Sequence, residues 1–267
     1  MSKQPPEYDA KWRFFWPIGE RPKEVNNDLP KVLPKDFPEW EDRMDGWGSC
    51  MINAVETASE MVAVGLGIDK NTFTSRMKEG AHLLSPTGSD LSRYEVGTTF
   101  AGFHYDLNFI TIHGKSRYPG LFIWKRDKTK MACKMPEGCL LMQAGIMFEW
   151  ITGGYILAGF HEVVYTQATK DALARLTAES EARGETRIQW RVSSTLFSHL
   201  RYDVDLSPLP ELEGFYNKEE SLQKYTKCTA FEKLVEELKA INLCPKQSYC
   251  DKSNRVPVHM MTDEAQA

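Results

Sequence analysis

Two histidines and an aspartate in this chain have the residue types and the order that could hold a metal ion. His104 and Asp106 stand one residue apart in GFHYDLNFITIH, and His161 follows in LAGFHEVVYT. Alternate side chains of a strand project on one face, so the first two would lie side by side. Two imidazoles and one carboxylate occupy one face of an iron ion and leave other positions open, which is typical of Fe(II) sites that activate oxygen.

A second motif, Arg191-x-Ser193 in QWRVSSTLF, could bind a carboxylate near that metal. The planar guanidinium of arginine pairs bidentately with a carboxylate. Ser193 would lie on the same strand face and add a hydroxyl donor. Together the two residues could hold the distal carboxylate of a dicarboxylic acid whose other end chelates the metal.

Each motif has a plain structural explanation when it is taken alone. A His-x-Asp pair usually arises by chance, a single histidine is more often structural, and Arg-x-Ser means little. The shared context strengthens the interpretation, because all three motifs lie in segments rich in residues that favour strands. These segments are 103–112, 155–166 and 189–200.

Taken together, the motifs resemble those of the 2-oxoglutarate- and Fe(II)-dependent dioxygenases, in the branch similar to isopenicillin N synthase. The resemblance extends from about residue 12 to about residue 245. Three turns between the motifs also match the family pattern in order. They are Pro119-Gly120-Leu121, Pro136-Glu137-Gly138 and Thr152-Gly153-Gly154.

The resemblance implies a fold, a set of ligands and a reaction. The fold is mainly β with flanking helices: a double-stranded β-helix, or jelly roll, backed by a long N-terminal helix. His104, Asp106 and His161 would bind Fe(II), and Arg191 and Ser193 would bind 2-oxoglutarate. With O2, and ascorbate as a further reductant, the enzyme would decarboxylate 2-oxoglutarate and oxidise a C–H bond of a small molecule, usually by hydroxylation.

Three features depart from the family pattern. The segment between His161 and Arg191 is longer than usual, and its polar sequence predicts a surface helix near 171–183, although an insertion in a loop is tolerated energetically. Residues 143–146 read Gln-Ala-Gly-Ile where the family commonly has Asn-x-Gly-Asp. The region before His104 is short, which could leave an edge of the fold open and require a protein partner to cover it.

Further residues are candidates for the pocket on less evidence. Tyr94 is the nearest counterpart of a tyrosine that contacts the co-substrate in the family. Asn108 follows the second metal ligand at strand spacing, and Thr195 and Phe197 continue the face of the Arg-x-Ser motif. The same alternation places His113 on the opposite face, as a structural residue.

The pattern along the chain predicts one domain over 1–267. Apolar residues recur every three or four positions from about 39 to 65, which predicts a long helix. A shorter helix is predicted near 70–78, with Asp69 as its N-cap. The segments are an extended arm at 1–37, helices at 38–80, the jelly-roll core at 99–200, a loop and helix at 201–245, and a tail at 246–267.

Composition limits the function classes further. The chain has 267 residues, 42% hydrophobic and 26% charged, with a net charge of −4, so one domain with a sizeable core is expected and nucleic-acid binding is not. No apolar run predicts a membrane span or a signal peptide, so a cytoplasmic location is expected. The six cysteines lack Cys-x-x-Cys spacing, so they do not predict a zinc site.

Three functions therefore compete. The first is the dioxygenase that the resemblance implies. The second is a catalytically silent relative that serves as a binding or structural subunit of a larger assembly, which the three departures would explain. The third is a zinc-dependent hydrolase, since histidine and aspartate also bind zinc. It ranks last because Arg191-x-Ser193 would have no clear role in it.

Overall fold

The structure, a computed structural model, describes residues 9–21, 31–241 and 243. The tail predicted at 246–267 lies outside these residues, as do the first eight residues of the predicted arm. In the described part of the chain, no helix is both long enough and apolar enough to cross a membrane.

Within the described residues, twelve short strands form three antiparallel sheets, so the fold is mainly β as predicted. The sheet orders are β1-β4-β11, β5-β10-β7-β8 and β2-β3-β12-β6-β9. The strands are β1 Trp12–Arg13, β2 Trp16–Pro17, β3 Leu83–Leu84, β4 Thr87–Asp90, β5 Thr99–His104, β6 Ile110–His113, β7 Leu121–Trp124, β8 Lys130–Ala132, β9 Leu141–Ala144, β10 His161–Val164, β11 Trp190–Ser193 and β12 Thr195–Ser198.

Six α-helices and one 3-10 helix accompany these sheets in the described chain. The helices are α1 Trp40–Gly65, α2 Thr74–Met77, α3 Ile146–Ile151, α4 Gln167–Glu181, α5 Lys218–Lys224 and α6 Ala230–Ala240, with the 3-10 helix at Pro210–Leu212. The prediction of Asp69 as an N-cap is wrong. Its carboxylate accepts a hydrogen bond from the Asn71 N–H at 2.8 Å, so it closes a turn before α2 rather than starting the helix.

Helix α1 packs against β12 and β6 of the five-stranded sheet. Its buried residues, among them Met51 and Val55, recur at helical spacing and form one side of the main core. Not every large apolar residue of the helix is in the core, since Met61 is 70% exposed. Trp47 is also exposed, and its indole donates a hydrogen bond to the Ser194 hydroxyl.

The N-terminal arm joins the sheets instead of lying loosely on them. Its residues 12–13 pair with β4, and residues 16–17 pair with β3. Trp16 is fully buried in the main core, and its indole N–H donates to the Asp45 carboxylate at 2.7 Å. The arm therefore places its own side chains on the faces of two sheets.

Helix α4 is the insert that the sequence predicted between His161 and Arg191. It begins at Gln167, earlier than predicted, with the Thr166 hydroxyl capping the Thr169 N–H. The helix is not fully solvated, because Ala172, Leu173 and Leu176 pack on a second core cluster. The buried members of that cluster are Leu91, Phe100, Tyr118 and Tyr165.

The Pro-Gly-Leu turn sets the approach of β7 to β10. Gly120 has a φ of +127°, which side-chain-bearing residues rarely adopt. A Cβ at this position would lie 2.5 Å from the Val164 carbonyl oxygen. Glycine is therefore required there by both the backbone angle and the close packing of the strands.

Candidate metal centre

Strand pairing brings the two predicted histidine ligands together. His104 ends β5 and His161 begins β10, and the two residues are direct partners in the ladder, with ring centroids 4.2 Å apart. The Nδ1 atom of His104 lies 2.5 Å from the Gly102 carbonyl oxygen, and that of His161 lies 3.1 Å from the Gly159 carbonyl oxygen. A carbonyl only accepts, so each Nδ1 donates to it, and each Nε2 is the ring atom that could bind a metal.

Asp106 supplies the third ligand from the turn that follows β5. Its Oδ1 lies 3.8 Å from the Nε2 of His104 and 3.9 Å from the Nε2 of His161. Its Oδ2 accepts a hydrogen bond from the Thr111 hydroxyl at 2.6 Å. One carboxylate oxygen is therefore oriented by the protein, and the other is directed towards the two imidazoles.

The electrostatics of the centre favour the protonation states that bind a cation. Burial would raise the pKa of Asp106, but His161, His104 and the Thr111 hydroxyl outweigh it, so the pKa lies below its usual range. Burial, followed by the neighbouring His161, lowers the pKa of His104 to about 4. At neutral pH the centre thus offers a neutral imidazole at His104 beside an ionised carboxylate.

This donor set fits Fe(II). The three ligand atoms lie within 4.8 Å of one another, close enough to bind one ion. Two neutral imidazole nitrogens and one carboxylate oxygen neutralise one charge of a divalent ion and leave part of its coordination sphere open. Both histidine rings are held by backbone carbonyls, and the carboxylate is held by a hydroxyl, so all three ligands are oriented before a metal arrives.

Arg191 and Ser193 line the same cavity as the three ligands, on β11 of the three-stranded sheet. Arg191 is buried, and burial lowers its pKa to about 10, so it remains a cation at neutral pH. Its Nε donates weakly to the Pro119 carbonyl oxygen at 3.4 Å. Among the described residues no carboxylate pairs with its guanidinium, which leaves the charge available for a ligand.

The two weaker candidates, Tyr94 and Asn108, do not line this cavity. The amide of Asn108 donates to the Ile110 carbonyl at 2.8 Å and to the Ser198 carbonyl at 3.0 Å, so it ties a loop to β12. Tyr94 packs edge-on against Phe100 with ring centroids 6.0 Å apart. Phe100 itself lines the cavity, so Tyr94 contacts a residue of the cavity wall without lining it.

The prediction that His113 faces away from the pocket is wrong, because its side chain lines the cavity. Its Nε2 lies 2.7 Å from the Gln143 amide oxygen and its Nδ1 lies 3.1 Å from the Thr195 hydroxyl. The strand alternation that was extrapolated from Asp106 is interrupted, since residues 105–109 form a turn between two strands. Thr195 and Phe197 line the cavity as predicted.

Sequence reasoning missed several residues that complete the cavity. Lys11 and Arg13 reach it from the N-terminal arm, and Thr87 and Ser89 reach it from β4. Each pair is separated by one residue, and that spacing was the available signal for a shared strand face. Thr111 was missed because its position beside Asp106 depends on how β6 returns past the turn.

No protein-family model matches the chain, and no curated protein matches it. Several solved structures do share its fold. A 2OG-Fe(II) oxygenase family protein from Caulobacter crescentus is 21% identical with a TM-score of 0.68, over 90% of this chain and 72% of that one. A full-length Neurospora crassa protein in complex with alpha-KG is 19% identical with a TM-score of 0.67, over 86% of this chain and 66% of that one.

A third structure, JOX2 in complex with 2OG, Fe and JA, is 16% identical with a TM-score of 0.62, over 87% of this chain. This chain spans only 60% of the length of JOX2. At these identities the comparisons establish a shared fold. The chain therefore has the fold of 2-oxoglutarate- and Fe(II)-dependent oxygenases, with a His-Asp-His site that could hold a metal.

Proposed function

We propose that this protein is a non-haem Fe(II)- and 2-oxoglutarate-dependent dioxygenase with a double-stranded β-helix core. One observation carries the proposal. The three ligand atoms converge within 4.8 Å of one another, and the unpaired guanidinium of Arg191 lines the same cavity. A metal site and a free cation in one cavity suit a dicarboxylate that chelates at one end and is ion-paired at the other.

The residues that would bind the metal and those that would bind the co-substrate come from different parts of the fold. His104, Asp106 and His161 would hold Fe(II), which supplies oxygen activation coupled to decarboxylation of 2-oxoglutarate and oxidation of a substrate C–H bond. Arg191 would pair with the distal carboxylate of the co-substrate, and Ser193 would donate a hydrogen bond to it. Zinc-dependent hydrolysis would leave this buried, unpaired cation without a role.

The remaining walls of the cavity favour a small organic substrate. Apolar side chains of Phe100, Leu121, Val163 and Phe197 surround the polar groups. Such walls exclude water and contact a carbon skeleton. The Neurospora crassa protein has thymine and JOX2 has JA in its solved complex, and both ligands are small molecules. Hydroxylation is the proposed outcome, and a cytoplasmic location remains a prediction.

Anaerobic titration of the purified protein with Fe(II) and 2-oxoglutarate tests this function. The chelate of the two should give a weak visible charge-transfer band. His161→Ala should abolish the band by removing a ligand, and Arg191→Ala should require much more 2-oxoglutarate to reach it. Arg175→Ala is the control, because Arg175 is exposed on α4, away from the cavity lining, and pairs with Glu179 at 2.7 Å.

The alternative function predicts a different result. A well-folded protein that gives no band at any concentration of Fe(II) and 2-oxoglutarate is not a working dioxygenase. The search would then turn to a protein partner for a silent subunit. A band that is unchanged in His161→Ala would also contradict the proposal, because the proposed ligand would not be needed.

A further inference from the structure

The cavity contains a second arginine for which the proposed co-substrate has no use. Arg13 lies on β1, at the other edge of the three-stranded sheet from Arg191. Its Nε donates to the Thr87 hydroxyl at 3.1 Å, and its guanidinium carbon lies 5.2 Å from the centroid of the Phe197 ring. These two contacts hold an otherwise flexible side chain over the cavity.

Register keeps the two arginines apart. Arg13 is opposite Thr87, which is opposite Ser193, whereas Arg191 is opposite Ser89. The two arginines are thus separated by two strand spacings and by two residues along the strands. Their Cα atoms are therefore about 12 Å apart. A dicarboxylate held between the metal and Arg191 would leave Arg13 free for another anion.

The charges of the loaded cavity support this separation. Fe(II) with the Asp106 carboxylate would carry one positive charge, and Arg191 carries another. The two negative charges of 2-oxoglutarate would cancel these two positive charges. Lys11 is already neutralised, since its Nζ lies 2.6 Å from the Asp9 carboxylate. Among the described residues, Arg13 has no carboxylate within ion-pair distance. One positive charge then remains, on the guanidinium of Arg13, which lines the cavity and is exposed.

On the basis of the proposed function, we infer that Arg13 is a substrate-binding residue that selects a small molecule with one anionic group, a carboxylate or a phosphate. The anion pairs with the Arg13 guanidinium, and the carbon skeleton extends past Phe197 into the apolar part of the cavity. Because the sheet places Arg13 away from Arg191, substrate and co-substrate bind to different cations.

The test measures binding to protein loaded with Zn(II) and 2-oxoglutarate, so that no turnover occurs. The probes are phenylacetate, phenyl phosphate and the neutral phenylacetamide, and their affinities are compared by ligand-observed NMR titration. The wild-type protein should prefer at least one of the two anions to the amide by about tenfold or more, the range for a charge-assisted hydrogen bond. Which anion binds more tightly identifies the anionic group.

Variants assign the preference to one residue. Arg13→Gln should remove the preference for the anion, and Arg13→Lys should retain part of it. Arg93→Gln is the matched control, because Arg93 contacts the neighbouring Trp12 at 5.9 Å from its ring centroid and pairs with Asp90. It removes the same charge near the same strand, but outside the cavity. It should leave the preference unchanged.

Other outcomes overturn the inference separately from the proposed function. Equal binding of anions and amide, or no binding of any probe, would mean that Arg13 does not select an anion. Loss of the Fe(II)–2-oxoglutarate band in Arg13→Gln would make Arg13 the co-substrate residue. If the wild-type protein forms no band, the proposed function fails. The inference about Arg13 is then decided by the same binding measurement on Arg191→Gln, in which the anionic probes can no longer pair with Arg191. If Arg13 selects the anion, this variant must still prefer the anionic probe to the neutral amide.

Discussion

His104 and His161 are direct partners across two adjacent antiparallel strands, and the centroids of their rings are 4.2 Å apart. The separation of the two imidazoles is therefore set by the backbone ladder between β5 and β10. The register of this ladder shifts immediately after His161. Asp106 is positioned differently, because a turn carries it and the Thr111 hydroxyl orients it. The ladder and the hydroxyl can be perturbed independently.

Removing the Thr111 hydroxyl should weaken metal binding without removing a ligand. Thr111→Val keeps the shape of the side chain but loses the 2.6 Å hydrogen bond to Asp106 Oδ2. We expect Fe(II) affinity to fall roughly 10- to 100-fold, as for other groups that orient metal ligands. Competition with a chelator of known affinity measures the change. Thr111→Ser should bind Fe(II) nearly as the wild type does, and equal affinity in Thr111→Val would contradict the role.

Replacing Arg191 by lysine should separate the contribution of its charge to co-substrate binding from the contribution of its planar geometry. Lysine keeps the positive charge but cannot form the bidentate contact with a carboxylate. We expect Arg191→Lys to raise the Kd for 2-oxoglutarate by about tenfold, while Arg191→Gln raises it more. The charge-transfer titration measures both, and Fe(II) affinity should be unchanged. Equal 2-oxoglutarate affinity in all three proteins would exclude Arg191 from co-substrate binding.

Gly120→Ala should destabilise the protein because the turn cannot accept a Cβ. The new atom would lie 2.5 Å from the Val164 carbonyl oxygen, in a backbone conformation with φ of +127°. We expect the free energy of unfolding to fall by about 3 kcal/mol, from strain and displaced packing together. Urea denaturation measures it.

Gly184→Ala provides the matched control for that prediction. Gly184 also has a positive φ, +71°, but nothing lies within 4 Å of an added Cβ. Its substitution should cost only the strain of the left-handed conformation, about 1 kcal/mol. Equal losses in the two variants would show that the close approach to Val164 contributes nothing.

Two buried histidines away from the metal centre should make stability depend on pH. Burial lowers the pKa of His82 to about 4 and that of His199 to about 3, and His82 Nδ1 accepts a hydrogen bond from the His199 backbone N–H at 3.0 Å. In the unfolded chain both imidazoles titrate near the usual value of about 6.5. Between about pH 6.5 and 4 the unfolded state therefore binds more protons than the folded state.

The contribution of these two histidines to the free energy of unfolding should consequently be complete above about pH 6.5. It should decrease as the pH falls from about 6.5 to about 4. Urea denaturation of the metal-free protein at several pH values measures the slope. His199→Leu removes one titrating group, and its slope should be smaller by up to about 1.4 kcal/mol per pH unit. An unchanged slope would mean that His199 is not protonated on unfolding in this range.

Part of this architecture could be predicted because its signals are periodic or local. The helix predicted from about 39 to 65 is α1, Trp40–Gly65, since apolar residues at helical spacing must face one core. The spacing of His104 and Asp106 and the strand texture around His161 sufficed to propose a metal site. Arg191 and Ser193 lie on one strand face, which follows from their alternate spacing alone.

The rest depended on long-range pairing that no local pattern encodes. Arg13 and Thr87 are 74 positions apart in the chain, yet they are opposite each other in the three-stranded sheet. His113 was placed on the wrong face because a turn resets the alternation after Asp106. Sequence periodicity predicts the faces of one strand, but it does not carry across a turn or identify the neighbouring strand.

The unpaired charge of Arg191 links binding of the co-substrate to the stability of the folded protein. In the described part of the chain this buried cation makes one weak hydrogen bond, so it opposes folding, and a carboxylate that binds only the folded state relieves that cost. Under the proposed function, each tenfold rise in free 2-oxoglutarate above its Kd would add about 1.4 kcal/mol to the folded state. The lifetime of this protein against proteolysis would then follow the supply of its own co-substrate.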